Sequence, residues 1–174
     1  DVIGILNSDD VYASNNVIEE VVKKMLETGA KALYADLVYV DRNDLNKVKR
    51  YWRSGEYKTS KFKWGWMPPH PTVFLKKELY SKFGNFNLYF RSAADYELML
   101  RLFYKHGVVP AYLPKVITKM RAGGESNATV KNRVNANNED RKAWKVNDLH
   151  PNWLTLYLKP IRKIPQFIFR KTRS

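Results

Sequence analysis

Apolar and polar positions fall into blocks along the chain, and the blocks define its elements. Asp1 to Leu6 is an apolar run closed by the polar cluster Asn7-Ser8-Asp9-Asp10, the pattern of a buried strand entering a loop. Val17, Ile18, Val21, Val22, Met25 and Leu26 recur at helical spacing. They predict a helix with one apolar stripe, capped by Ser14 or Asn15 and stopped by Gly29. Ala32 to Val40 is rich in strand formers, ends in the turn Asp41-Arg42-Asn43-Asp44, and finds a hairpin partner in Lys47 to Arg53. Tyr57 to Met67 alternates bases with aromatics, and Pro68-Pro69-His70-Pro71 imposes an extended, rigid segment. Thr72 to Leu75 reads as a short strand and Lys77 to Phe83 as a small helix closed by Gly84. Ala93 to Tyr104 is a strong helix with Leu98, Met99, Leu102 and Phe103 facing inward, ended by His106-Gly107. Val108 to Met120 holds one or two strands around Pro110 and Pro114. A polar helix from about Ser126 to Asp148 follows. Strands and helices in this alternation, without an internal repeat, predict an α/β fold with a mixed sheet. Residues 1–150 form the domain, and 151–174 form a Pro-broken, basic and apolar tail.

Composition narrows this picture. A chain of 174 residues, 44% apolar, is long enough for a real core and too apolar to be disordered. The absence of cysteine excludes disulfides and thiolate metal sites, and fits a reducing cytoplasm. No apolar run is long enough to span a bilayer. Asp1 to Leu6 has neither a basic region nor a small-residue cleavage site, so it is not expected to be a signal peptide. A strand that begins without lead-in carries the expectation that residues precede it. The 31 basic residues exceed the 17 acidic ones by 14, which favours anionic partners: nucleic acid, phosphorylated substrates or an anionic membrane face.

Two carboxylate segments carry candidate chemistry. The loop Asn7-Ser8-Asp9-Asp10 closes a strand, where open α/β sheets place ligands. Magnesium needs only one or two protein carboxylates when phosphates and water complete its octahedron. The bland alternative is that Asp9 or Asp10 caps the next helix. The second segment is Asp95, in line with Leu98, Met99 and Leu102, so that its carboxylate tops the inward helix face. Early in a helix the dipole favours the ionised form, which suits a proton acceptor at neutral pH. The alternative is again a simple cap. Glu97 points elsewhere and pairs with Arg101 at the i,i+4 spacing.

With its flanks, Ile3-Gly4-Ile5-Leu6-Asn7-Ser8-Asp9-Asp10-Val11-Tyr12 resembles the Asp-x-Asp segment of glycosyltransferase family 2. Gly84-Asn85-Phe86-Asn87 followed by Ser92-Ala93-Ala94-Asp95-Tyr96-Glu97-Leu98-Met99 resembles the acceptor-side motif of the same family. The resemblance covers most of Asp1 to Asn127, with several segments in the right order. It implies a partial GT-A fold starting at the Asp-x-Asp strand, with the N-terminal nucleotide-binding half absent and the chain alone inactive. It implies an inverting transfer of sugar from a nucleotide-sugar donor to a glycan or lipid-linked hydroxyl, in cell-surface polysaccharide synthesis. By the same resemblance Asp9 matches the ligand of Mg2+ or Mn2+, and Asn7 stands where many members have the first Asp. Asp10 is expected to orient the loop, and Asp95 to be the general base.

Trp66-Met67-Pro68-Pro69-His70-Pro71-Thr72 resembles the family segment with a His or Gln near the donor phosphates or acceptor; a structural His70 is the alternative. Lys119 to Asn127, with Arg121 and Gly123-Gly124, offers an anion site for diphosphate, or an ordinary turn with a Ser126 cap. The aromatic–basic stretch from Tyr51 to Trp66 could hold sugar rings, stack nucleic-acid bases, or simply pack. The tail from Lys159 to Ser174 mixes bases with apolar residues, as a peripheral membrane segment would, or packs on protein. The competing function is a basic nucleic-acid-binding module, which leaves Asp9 and Asp95 unexplained. A phosphohydrolase using Asp9 and Asp10 would need more acidic or His ligands than the sequence offers.

Overall fold

The computed structural model describes residues 1–123, 130–151 and 155, with the side chains of 130–137 set aside. The chain forms β1 (Val2–Gly4), β2 (Val11–Tyr12), α1 (Val17–Thr28), β3 (Ala32–Val40), β4 (Val48–Trp52), β5 (Phe74–Lys76) and α2 (Lys77–Phe83). Then come α3 (Ala94–Met99), which continues as a π-helical stretch over Leu100–Lys105, β6 (Ala111–Arg121) and α4 (Val130–Val146). Short 3-10 helices occupy Thr59–Trp64 and His70–Thr72.

The fold is mixed α/β around a mixed sheet in the order β1-β5-β3-β6-β2, with β4 also on β3. Strand β3, buried almost throughout, is the spine. It runs parallel to β6 from the Leu33–Ala111 pair to the Val40–Arg121 pair. Its other edge is shared by two antiparallel strands, β5 at Ala32 and Leu33 and β4 from Leu37 to Val40. Between them no strand is left to pair with Ala35, and a buried backbone group cannot remain unpaired. Side chains fill the gap. The Thr72 hydroxyl accepts the Ala35 N–H at 3.2 Å, and the Ser54 hydroxyl donates to the Ala35 carbonyl at 2.6 Å.

Alternation along β3 serves both faces. Leu33 and Ala35 pack with Val17, Val21 and Met25 of α1, together with Phe74 and Ile117. Ala32 and Tyr34 face a larger core with Leu79 of α2, Leu98 and Met99 of α3, Leu102 and Phe103 of the π-helical stretch, and Trp144 of α4. Each Val, Leu, Ile, Phe or Met side chain so buried contributes about 1.5–3 kcal/mol.

Several expectations are corrected. Asp1 to Leu6 is not a buried strand: only Val2–Gly4 is extended, on the sheet edge against β5, with Val2 and Ile5 exposed. Gly4 is required there, because a Cβ would lie 2.4 Å from the Phe74 ring. Helix α1 follows Asn16, not Ser14 or Asn15, with no side-chain cap; Gly29 does stop it, at a left-handed φ of 65°. The apolar stripe of α1 splits. Val17, Val21 and Met25 meet the sheet, while Ile18, Val22 and Leu26, about 100° further round the helix, are exposed. The Pro-flanked segment is not extended throughout, since His70–Thr72 closes a 3-10 turn with Val73 N–H donating to the His70 carbonyl. The helix expected over Ala93 to Tyr104 widens to π geometry after Met99, yet Leu98, Met99, Leu102 and Phe103 are buried as expected. Val108 to Met120 yields one strand, β6, whose pairing with β3 skips Pro114 and Lys115, where proline has no N–H to donate, and skips Ile117 as well. Helix α4 starts its described course at Val130; Gly124 to Asn127 and the tail from Lys159 lie outside the described residues. Among the described residues no helix is long and apolar enough to cross a membrane.

Candidate active site

The parallel strands β3 and β6 end together at Val40 and Arg121, and the loop between β1 and β2 closes over that end. Asp10 is buried and fully engaged. One carboxylate oxygen accepts the Asn7 side-chain amide at 2.9 Å and the other the Arg121 backbone N–H at 3.2 Å. Burial, the largest influence, raises its carboxyl above the ordinary range. The Asn7 and Arg121 hydrogen bonds oppose that rise, the Asp9 charge adds to it, and the His70 charge opposes it. Asp10 therefore shapes the loop, as the sequence suggests. Asp9 is exposed, and among the described residues its carboxylate makes no hydrogen bond or ion pair.

Arg121 ties the loop down rather than reaching outward. Its guanidinium donates from Nε to the Asp9 carbonyl at 2.9 Å and from Nη1 to the Arg42 carbonyl at 2.5 Å. The side chains of Asn7 and Arg121 thus hydrogen-bond within the loop region itself. The anion site expected across Lys119 to Asn127 runs past the described residues.

The second carboxylate arrives from the other face of the sheet. Asp95 is not the cap of α3. The side chain of Glu139 in α4 accepts the N–H groups of Ser92 and Ala93 at 2.7 and 2.9 Å. Asp95 Oδ1 accepts the Tyr96 N–H at 2.8 Å, and Oδ2 lies 3.0 Å from Nδ1 of His70. His70 is held by its own turn: the Thr72 hydroxyl is fixed on β3, and the Thr118 hydroxyl of β6 donates to the Pro71 carbonyl at 3.1 Å. Glu97 is buried and does pair with Arg101, through two contacts of 2.9 and 3.1 Å, while Asn147 donates to it at 2.9 Å. That cluster locks α3 between α2 and α4 and belongs to the scaffold.

The His70–Asp95 pair lies within electrostatic reach of the Asp10 loop. The charge of His70 bears on Asp10, and the charges of Asp10 and Asp95 both bear on the Tyr39 phenol of β3. Tyr39 stands one residue before the end of β3. Its hydroxyl is pushed up chiefly by burial, with both carboxylates adding. The Arg50 guanidinium sits 4.6 Å from the Tyr39 ring centre, and Trp52 stacks beyond it. Sequence reading did not single out Tyr39 or Glu139. Tyr39 carried a faint signal as the tyrosine just before the Asp41 turn; Glu139 carried none, because its partner lies 46 residues away.

Most of the aromatic–basic stretch is used in packing. Phe62 and Trp66 are buried, Tyr57 donates to the Phe103 carbonyl at 2.8 Å, and Trp64 is exposed. A hollow of about 480 Å³ lies at the opposite, N-terminal ends of β3 and β6, bordered by Lys31, Lys82 and His106. It holds none of the groups above.

Whether a divalent ion fits can be judged from the donors. No group of three or more His, Cys, Asp or Glu among the described residues could hold a metal by protein alone. One unengaged carboxylate, Asp9, suits an ion that takes its other oxygens from phosphate and water. No protein-family model matches the chain, and no curated protein matches it.

Proposed function

We propose that the protein is an inverting glycosyltransferase with a partial GT-A fold, moving a sugar from a nucleotide-diphosphate donor to a glycan or lipid-linked hydroxyl. The observation that supports the reading is a His70–Asp95 pair whose imidazole lies within electrostatic reach of Asp10, in the loop that carries Asp9 at the carboxyl ends of β3 and β6. Asp9 is exposed and its carboxylate makes no hydrogen bond or ion pair among the described residues, while Asp95 is paired with His70. Open α/β sheets bind ligands at that end.

In the proposed reaction the acceptor oxygen attacks the anomeric carbon and forms the new C–O bond. The bond to the diphosphate breaks on the opposite face, its electron pair leaves with the diphosphate, and the hydroxyl proton passes to the His70–Asp95 pair. Asp9 would hold Mg2+ or Mn2+, which supplies charge neutralisation for the leaving group. Asn7, Asp10 and Arg121 hold the Asp9 loop in shape. The excess of 14 positive charges suits phosphorylated donors and an anionic membrane face, where polysaccharide is assembled on lipid carriers. The nucleic-acid-binding alternative lacks such support, since most rings of the aromatic–basic stretch are packed inward.

The test is Mn2+-dependent turnover of UDP-, GDP- and dTDP-sugars by the natural full-length protein, wild type against Asp9→Asn, with product anomeric configuration read by NMR. Metal-dependent transfer with inversion, reduced at least 100-fold in Asp9→Asn, is expected. Turnover that ignores both the metal and the substitution would sink the reading.

A further inference from the structure

Pairing two candidate bases raises the question of which atom takes the proton, and the contacts answer it. Both oxygens of Asp95 are engaged: Oδ1 by the Tyr96 N–H at 2.8 Å and Oδ2 by His70 Nδ1 at 3.0 Å. Nδ1 of a neutral imidazole facing a carboxylate carries the ring proton and donates it, which leaves the lone pair on Nε2. No described residue bonds to Nε2. The imidazole is also the more open partner, with 37% of its side chain exposed against 27% for Asp95. The turn that carries it is fixed to β3 through Thr72 and to β6 through Thr118. A base oriented by a third group is the arrangement that activates hydroxyl nucleophiles.

We infer that His70, through Nε2, is the catalytic proton acceptor of the transfer, and that Asp95 is the positioning residue that fixes its tautomer; this rests on the glycosyl-transfer reading above. As the acceptor oxygen bonds to the anomeric carbon, its proton moves to Nε2 and His70 becomes imidazolium. The positive charge forms 3.0 Å from the Asp95 carboxylate of α3 and within electrostatic reach of the Asp10 carboxylate of the β1–β2 loop. The imidazolium then returns the proton to solvent. The resemblance to glycosyltransferase family 2 placed the base at Asp95, whose motif is visible in sequence, whereas contact with residue 70 is not.

Two measurements test this. The 15N–1H multiple-bond spectrum reports the tautomer directly, and His70→Gln identifies the signal among the 3 histidines of the chain. The neutral ring is expected to be protonated on Nδ1 in the wild type and to revert to the Nε2–H form in Asp95→Ala. In the second measurement, steady-state transfer, His70→Gln is expected to lower kcat by about 10²–10⁴-fold with little change in KM. Asp95→Asn is expected to lose less, Asp95→Glu to recover part of the loss, and the double variant to match His70→Gln, as groups acting in one unit do. A wild-type ring protonated on Nε2, or full kcat in His70→Gln, would overturn the assignment while leaving the transferase reading intact. A wild type that transfers sugar from none of the donors would overturn both.

Discussion

The Glu139 carboxylate accepts the Ala93 N–H at 2.9 Å, capping α3 from α4, and takes the Ser92 N–H at 2.7 Å as well. This contact decides what Asp95 is available to do. A helix end leaves several N–H groups without intrahelical partners, and a nearby Asp ordinarily turns back to take one. Glu139 takes the two N–H groups just ahead of the helix, while Asp95 takes the first-turn N–H of Tyr96 with one oxygen and turns the other to His70. The Glu139 contacts and the Asp95–His70 pair adjoin at the start of α3.

Glu139→Ala should therefore lower stability by about 1–2 kcal/mol, the usual cost of losing a cap. Urea unfolding measures it. Asp95→Ala should cost less, because the cap remains in place. Equal losses, or a larger one for Asp95→Ala, would mean that Asp95 is the cap after all.

What was legible in the sequence follows from where each signal resides. Gly29 and Gly84 mark helix ends by local backbone chemistry, and both ends fall there. The β3–β4 hairpin followed from its own alternation and turn. The exposure of Ile18, Val22 and Leu26 was not legible, because periodicity reports how apolar residues are spaced and not how wide the sheet beneath them is. The π-helical widening after Met99 was hidden for a similar reason: Leu100 to Lys105 is as good a helix former in either winding. In the site, Asp9, Asp10, Asp95 and His70 were each visible as residues, and the Asp95–His70 pairing was not. The gap in β3 pairing at Ala35, which seats the His70 turn, is a property of three strands at once.

Arg121 gives a prediction about the loop. Its Nε and Nη1 hold the Asp9 and Arg42 carbonyls together, a geometry that the single ammonium of lysine cannot reproduce. Under the transferase reading, Arg121→Lys should weaken calorimetric binding of Mn2+ plus UDP, GDP or dTDP by about tenfold, a loss of about 1.4 kcal/mol. The far-UV spectrum should be unchanged, since the β3–β6 ladder does not depend on the guanidinium. Binding at wild-type strength would show that the Asp9 loop keeps its shape without the clamp.

Asp36 gives a prediction about pH. It is buried in β3 and accepts the Ser54 N–H and the Tyr112 hydroxyl at 2.8 Å each, with the Tyr51 hydroxyl at 3.4 Å. A single polar residue within Ala32 to Val40 was the sequence signal for it. Burial, the largest influence, raises its carboxyl above 3.8, against the opposing effects of those hydrogen bonds and the Arg53 charge. The folded state thus binds this proton more tightly than the unfolded state does. The corresponding stability is fully present below pH 3.8 and is lost as pH rises through the raised folded value. Asn at this position keeps an acceptor for Ser54 and Tyr112 and carries no titrating charge. The stability of the wild type relative to Asp36→Asn should therefore fall as pH rises above 3.8, by about 1.4 kcal/mol for each unit by which the pKa is raised. Urea midpoints for both proteins from about pH 3 to 8 measure the difference, in which the titration of Asp10 and the other shared groups cancels. A difference that stays flat across that range would mean that Asp36 titrates in the fold as it does in the open chain.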